Sequence, residues 1–343
     1  MSGGNTKWME AFGITGLDYP VPVHANTFWY SLGGVTLTCF VVTLVTGAIL
    51  TQFYNPTPST AHASVDYIAA TPELGWIRGL HHWSANLGFL LLIAHMLRVL
   101  VTGAYRPPRV VNYVVGLVLL FVVSQSFFTG TVLKWDQEGY EAMAHFLAVN
   151  EMLGPLGKVF QEDFTLSTSM LARFYALHVG IFSSLLVVLI VLHLLYVKYF
   201  GIAPKPYQTD EDYEISLSKG EKFTHHLRLL LIFGSILIVL LMVLAFLLPP
   251  GLLHQPKPGV EMTKPPWVFW VFYPIESLMG ISGILLGTVV LSIVLILIPA
   301  LGLTIPNKKN LFRIVNTIVI VGLGIWLSQL VITYFLPTMQ HFK

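Results

Sequence analysis

Long apolar stretches alternate with shorter polar ones along the 343-residue chain. Seven of the apolar stretches approach or exceed the roughly 20 residues that a helix needs to cross a bilayer. The pattern predicts spans at about 28–50, 78–101, 113–133, 172–199, 227–248, 278–298 and 312–336. We therefore expect an all-α, polytopic membrane protein with seven transmembrane helices, in which a four-helix bundle is followed by three further helices.

The polar stretches divide this pattern into regions. The first carries aromatic and polar residues that predict a short amphipathic helix around Trp8 to Phe12, and it lacks the basic start and apolar core of a cleavable signal. Another contains prolines and several acids, as is typical of a linker. The predicted regions are an N-terminal cytoplasmic surface segment (1–27), the four-helix bundle (28–200), a polar cytoplasmic linker (201–226) and a three-helix C-terminal domain (227–343).

Composition agrees with a membrane protein and excludes several other classes. The chain is 55% hydrophobic and only 10% charged, which no soluble domain of this size matches. Its formal net charge of +2 is too small to indicate a nucleic-acid partner. Cys39 is the single cysteine, so an intrachain disulfide and a cysteine-ligated cluster within this chain are both excluded.

The distribution of cations predicts the orientation. Twelve of the 19 lysine and arginine residues fall on the side of the N-terminus and seven on the other side, although the loops there are longer. By the positive-inside rule this predicts a cytoplasmic N-terminus and an outer C-terminus, in the inner (cytoplasmic) membrane of a cell. The second and fourth spans then run in parallel, from outside to inside.

Those two parallel spans carry four histidines at matched spacing. From His81 to His95 a helix turns through roughly 1,400°, about 40° short of four turns, and rises about 21 Å. The 15-residue step from His178 to His193 overshoots four turns by about 60°. Both steps keep each pair near one face, so His81 and His178 meet near the outer side, and His95 and His193 near the inner side. Such a frame can hold two stacked haems, each iron bound by one imidazole from each helix. His82 points about 140° away from His95 and is not assigned.

Glycines and cations complete the candidate cofactor sites. Gly33 and Gly47 in the first span, and Gly116 and Gly130 in the third, repeat the 14-residue step of the histidines. Glycine at those depths lets a macrocycle approach the backbone, although ordinary small-residue helix packing is the alternative. Five cations near helix ends are placed to pair with haem propionates, the alternative being interfacial snorkelling. They are Arg78, Arg98, Arg109, Arg173 and Lys198.

With these features the chain resembles the cytochrome b family of quinol-oxidising bc-type complexes, above all the shorter form of photosynthetic plastoquinol–plastocyanin reductases. The resemblance lies in residues 31–40, 77–84, 134–137 and 172–178. It covers residues from about 20 to 200, and the last three spans resemble the separate small subunit of the photosynthetic complex. The resemblance implies a quinone substrate, Rieske iron–sulfur and/or c-type cytochrome partners and a homodimer. It also implies a low-potential haem at the outer pair and a higher-potential one at the inner pair.

Three segments depart from the family pattern. Ser31 stands where the photosynthetic form has a haem-attaching cysteine, which argues against a covalently bound third haem. Lys134 replaces the proline before Trp135. Pro266 stands where the family's outer quinol site carries a glutamate, and Val268, after Trp267, stands where it carries a tyrosine.

The missing glutamate bears on mechanism, because quinol oxidation releases two protons and a positioned acceptor assists it. Glu276 is one candidate substitute, its alternative role being a helix N-terminal acid that complements the dipole. Asp136 and Glu138, in the loop before the fourth span, are further candidates that we expect to be solvated.

The sequence thus predicts a dihaem cytochrome b subunit of a membrane redox complex, which transfers electrons between a quinone and partner subunits. An alternative is a transmembrane electron conduit that links a non-Rieske donor, such as a multihaem cytochrome or an iron–sulfur subunit, to the quinone pool. A transporter or a structural membrane anchor is disfavoured. The last three spans carry no charge at membrane depth and show no inverted repeat, and an anchor has no use for four matched histidines.

Overall fold

The structure, a computed structural model, describes residues 19–305 and 308–338. Within these residues the chain is helical, and its β-structure is limited to one isolated bridge between Pro20 and Lys222. The predicted amphipathic helix around Trp8 to Phe12 lies outside the described residues.

Helices of two kinds follow one another along the described chain: long apolar ones and short ones that lie between them. They are α1 (Phe28–Leu50), α2 (Ala61–Ala70), α3 (Pro72–Thr102), α4 (Val110–Leu133), α5 (Gln137–Met152), α6 (Met170–Phe200), α7 (Asp210–Ser218), α8 (Phe223–Leu247), α9 (Tyr273–Met279), α10 (Ile281–Thr304) and α11 (Lys308–Phe335).

Seven of these helices, α1, α3, α4, α6, α8, α10 and α11, are long and apolar enough to cross a membrane. Many of their outward side chains are apolar and exposed, among them Phe121, Val188 and Ile236. In water such a surface would be unfavourable, whereas lipid tails solvate it. The all-α, polytopic membrane fold predicted from the sequence is therefore confirmed.

Several predicted boundaries are wrong by part of a turn or more. Helix α3 begins at Pro72 rather than near residue 78, because proline is well suited to the first helical turn, where its missing N–H leaves no bond unmade. Helix α10 begins at Ile281, after Gly280 has adopted a φ of 65° that favours glycine. Glu276 consequently lies on the separate short helix α9 and not at the start of the sixth span.

The seven-span pattern did not predict four short helices, because they are too short and too polar to cross a bilayer. They are α2, α5, α7 and α9. Helix α7 lies inside the stretch predicted as a polar linker. A capping box starts it, in which Thr209 accepts from the backbone N–H of Asp212 and the Asp212 carboxylate accepts from Thr209.

The first four spans form two helix pairs that face each other. Helix α1 packs along α3, and α4 packs along α6, whereas α3 and α4 make little contact. Apolar side chains from both pairs fill the middle of the bundle, including Phe89, Leu119, Val122 and Leu186. The histidines of α3 and α6 lie on either side of this central core, towards the two ends of the bundle.

The later spans are attached to the outside of the bundle. Helix α8 packs against α1 and α3 at small residues: a methyl group on Gly79 would lie 3.0 Å from Ala245 Cβ, and one on Gly234 would lie 2.9 Å from Thr38 Oγ1. Such close approach is how helices associate in membranes. Helix α10 packs against α4 and α5, and α11 against α3 and α9.

Candidate haem-binding site

The structure brings the four histidines together in two pairs across the bundle. The ring centres of His81 and His178 are 6.4 Å apart, and those of His95 and His193 are also 6.4 Å apart. An imidazole nitrogen binds a transition metal at about 2 Å, and the ring centre lies about 1.2 Å behind it, so two imidazoles on one metal have centres about 6.4 Å apart. Each pair therefore fits one iron with two axial imidazoles.

A π-helical segment explains the longer histidine step of α6. Residues Ala176–Phe182, which include His178, form π-helical turns inside the otherwise α-helical span. The wider turn accommodates one extra residue, so the 15-residue step to His193 covers the turns that 14 residues cover in α3. Ser183 Oγ donates to the His178 carbonyl at 2.8 Å, across this widened turn. The overshoot of about 60° expected for a straight α-helix is thereby removed.

Each of the four glycines singled out in the sequence lies against one histidine ring. A methyl group at Gly47 would lie 3.0 Å from His81 Cε1, one at Gly33 would lie 3.1 Å from His95 Cε1, and one at Gly130 would lie 3.0 Å from His178 Cε1. At Gly116 the corresponding distance to His193 Cε1 is 3.7 Å, an ordinary contact. The glycines thus make room for the imidazoles of neighbouring helices, and not simply for a macrocycle.

Hydrogen bonds orient both rings of the His81 pair. His81 Nδ1 lies 3.0 Å from the carbonyl oxygen of Thr43, which can only accept. His178 Nδ1 lies 2.9 Å from Thr129 Oγ1, whose own hydrogen is donated to the Gln125 carbonyl at 2.8 Å. Both Nδ1 atoms therefore carry the proton, and both Nε2 atoms keep the lone pair that an iron needs.

The His95 pair has a buried cation beside it instead. Arg98 Nη2 lies 3.4 Å from His95 Nδ1, and the guanidinium lies 5.1 Å from the ring centre of Tyr30. Arg98 Nε is buried and has no hydrogen-bond partner among the described residues. A buried guanidinium with free donors suits a carboxylate, so Arg98 fits a haem propionate.

The other predicted propionate partners have different surroundings. Three of them hold backbone carbonyls, and the fourth, Lys198, is exposed on α6. Arg78 donates to Pro250 and Gly251, Arg109 to Phe200, Gly201 and Ile202, and Arg173 to Val159 and Gln161. These arginines tie loops and helix ends to the bundle, which the sequence did not predict.

Asp136 is not the solvated acid that the sequence led us to expect. It is fully buried, its Oδ1 accepts from the Gly139 N–H at 3.0 Å and its Oδ2 from the Leu253 N–H at 3.2 Å. Both oxygens serve to cap α5 and to fix the loop after α8. Glu138 is likewise not fully solvated, since Lys134 pairs with it and burial raises the pKa of its carboxyl.

Glu276 lies in a polar cluster that the sequence did not reveal. It is 3% exposed, and its Oε1 lies 2.9 Å from His145 Nε2. Glu261 Oε1 lies 3.8 Å from the same nitrogen. Burial lowers the pKa of His145, but the hydrogen bond and charge of Glu276 raise it and Glu261 adds to this, so the pKa ends above its ordinary value.

Sequence reasoning missed the hydroxyl residues beside His81 and His178 as well as His145 and Glu261. Thr46 lies 3.3 Å from His81 Nδ1 and immediately precedes Gly47, just as Thr129 immediately precedes Gly130. This repeated Thr-Gly pair is a signal that could have found them. His145 and Glu261 are separated by three helices in sequence, and no local pattern joins them.

Comparisons with known proteins agree with this architecture. The profile of the family Cytochrome b/b6/petB matches residues 17–201. A chain of the solved structure "Hyperthermophilic respiratory Complex III" superimposes with a TM-score of 0.71 over 97% of this chain and 97% of that chain, at 20% sequence identity. At that identity the likeness concerns the fold, and it includes the last three spans.

The fold and the paired histidines together define a multi-pass membrane protein of the electron-transfer class. Helix α3 supplies one histidine of each facing pair, and helix α6 supplies the other. Since the family profile covers more than half of the residues, the chain belongs to the cytochrome b family, whose members generally bind haem b.

Proposed function

We propose that this cytochrome b holds two b-type haems and transfers electrons across the membrane between a quinone and partner redox subunits. The observation that carries this function is the pair of equal 6.4 Å separations between facing imidazoles. When bound, the haems supply one-electron redox chemistry. His81 and His178 would hold one haem, and His95 and His193 the other.

The protein's own residues would orient these groups and control their surroundings. The Thr43 carbonyl and Thr129 hydroxyl fix the tautomer of the His81 pair, and Arg98 offers a positive charge at the His95 pair. With about 20 Å between the pairs, an electron would cross much of the low-dielectric core. A full charge crossing the membrane is worth about 2.3 kcal/mol per 100 mV, and this partial crossing somewhat less.

We further propose the regions and assembly implied by the family. Residues 28–200 form the haem bundle, 201–226 a cytoplasmic connection that contains α7, and 227–343 the C-terminal domain, with the N-terminus in the cytoplasm and the C-terminus outside. The His81 pair then lies at the outer face of the cell's inner membrane. Partners would be a Rieske iron–sulfur protein and/or a c-type cytochrome, in a dimeric complex.

The test is quinol-driven haem reduction by the purified complex, followed in the haem α-band with and without an inhibitor of the outer quinone site. Reduction that the outer-site inhibitor slows is the expected result. Reduction that only an inner-site inhibitor slows would contradict quinol oxidation at the outer side.

The second outcome would favour a transmembrane conduit fed by a non-Rieske donor, such as a multihaem cytochrome. The observation in favour of that alternative is Pro266, which brings no carboxylate to the loop before α9. Trp267, the next residue, donates to Asn86 Oδ1 at 2.6 Å and so fixes this loop against α3.

A further inference from the structure

A histidine between two carboxylates lies at the outer end of the bundle, on elements that the haem ligands do not use. His145 belongs to α5, Glu276 to α9, and Glu261 to the loop that precedes α9. The side chains of Glu276 and Glu261 are 4% and 5% exposed, whereas that of His145 is 23% exposed. The imidazole is therefore the member of the cluster that reaches solvent, with the two acids buried behind it.

The hydrogen bonding of the ring suits proton transfer. His145 Nδ1 lies 2.7 Å from the Glu141 carbonyl, which can only accept, so Nδ1 keeps its proton. Nε2 faces both carboxylates, at 2.9 Å from Glu276 and 3.8 Å from Glu261, and the shorter distance is within reach of proton transfer.

Among the described residues, the elements that pack against α5 bring few charged side chains near this cluster. Helices α4 and α10, which pack against α5, contain no charged residue within their bounds. Lys158 lies in a turn that packs on the far end of α5, beside Asn150, and Lys134 and Glu138 pair with each other at its start. Of the described charged side chains, Glu276 and Glu261 are the ones that raise the pKa of His145.

Aromatic rings pack between α5, which carries His145, and α4, which carries Thr129. Phe146, next to His145 in the chain, has its ring centre 5.6 Å from that of Phe128. Phe128 directly precedes Thr129, which holds His178. The ring of Phe269, from the loop before α9, also lies 6.2 Å from that of Phe128. Contacts between aromatic rings therefore connect the helix that carries His145 with the helix whose Thr129 contacts His178.

Resting on the function proposed above, we propose that Glu276 accepts a proton from quinol at the outer side and that His145 passes it to the aqueous phase. The quinol loses its two hydroxyl protons in turn. Each time, one quinol O–H bond breaks as an O–H bond of the Glu276 carboxyl forms, and Glu276 passes that proton on before it accepts the next. The two electrons leave singly, one to the outer haem and one to an iron–sulfur or c-haem acceptor of a partner subunit. His145 releases its Nε2 proton to water, and Glu276 then restores that proton to Nε2. His145 acts through Glu276 and is a positioning and relay residue.

The experiment compares Glu276→Gln, His145→Gln and, as a matched control, Glu151→Gln, an exposed acid on the same helix α5. Each variant is made in the intact complex, and outer-inhibitor-sensitive haem reduction by quinol is measured across pH. Glu276→Gln should slow it by about a hundred- to ten-thousandfold, the contribution of a positioned base. Glu276→Asp should recover part of the loss, and Glu151→Gln should match the wild type.

His145→Gln should change the pH profile of haem reduction, which loss of a purely structural contact would leave unchanged. Loss of the imidazolium removes a positive charge 2.9 Å from Glu276, which makes the ionised carboxylate less favourable, so the acidic limb of the pH profile moves to higher pH. The reduced-minus-oxidised spectrum of each variant checks that both haems are bound. If Glu276→Gln does not assemble, Glu276→Asp and His145→Gln carry the same test.

Different outcomes would overturn this role of the cluster and the function on which it rests. Wild-type complex without outer-inhibitor-sensitive reduction would overturn the proposed function. Sensitive reduction in the wild type, together with unchanged rates and an unchanged acidic limb in the Glu276 and His145 variants, would overturn the role of the cluster alone.

Discussion

The two histidine pairs have the same composition, two imidazoles, and the same distance between ring centres, but they differ in the groups that surround them. At the His81 pair the ring nitrogens meet neutral oxygens from Thr43 and Thr129, and Arg78, the nearest predicted propionate partner, is bound to carbonyls. At the His95 pair the buried Arg98 lies directly beside the ring. A nearby positive charge disfavours the ferric state and raises a haem potential. The same ligand set can thus give two different potentials.

The largest difference between the two pairs is expected when one histidine is removed. In His178→Ala we expect loss of the haem of the His81 pair, because only one of its two axial imidazoles remains. We expect the haem between His95 and His193 to be retained. The haem content and the reduced-minus-oxidised spectrum of the purified complex measure both. Equal loss of both haems from a folded protein would contradict the assigned pairing.

Glycine substitutions should sharpen the comparison between the ends. A methyl group in Gly130→Ala would lie 3.0 Å from His178 Cε1, whereas one in Gly116→Ala would lie 3.7 Å from His193 Cε1. We expect the first to weaken haem retention by about 1–3 kcal/mol, as overpacking does, and the second to have an effect below about 1 kcal/mol. Thermal release of each haem, followed spectroscopically, measures the difference. A larger effect at Gly116 would show that the rings move apart when haem binds.

The electrostatic difference itself predicts a smaller effect. Arg98→Gln should lower the potential of the haem at the His95 pair by about 40–90 mV, equivalent to about 1–2 kcal/mol for one electron. Redox titration of the α-bands measures the shift, with Lys198→Gln as the exposed control on α6. An equal shift in the control, or a shift confined to the other haem, would mean that Arg98 does not set the difference.

The fold was largely predictable because a bilayer imposes strong constraints on sequence. Apolar length alone predicted the seven spans, and helical spacing predicted that His81 would face His178 once the two spans were taken as parallel. The confirmed fold class rests on these regularities. The spacing of Gly47 and Gly130 also indicated where another group comes close to the backbone, although the group in contact is an imidazole.

The remaining features depend on tertiary placement, which no local pattern encodes. Arg109 and Arg173 looked like propionate partners because their depth was suitable, yet nearby carbonyls of other segments hold them. Asp136 looked solvated because it lies in a polar loop, but the loop after α8 folds over it. His145 and Glu276 meet only because α5 and α9 fold against each other at the end of the bundle.

The π-helical segment of α6 has a consequence for how such chains vary in length. A widened turn stores one residue without displacing the later turns of the helix, so loss of one residue between His178 and Phe182 would convert it to regular α-helix and leave His178 and His193 on the same face. Ligand spacings of 14 and 15 residues in this span are therefore structural equivalents, and a search for related sequences must admit both.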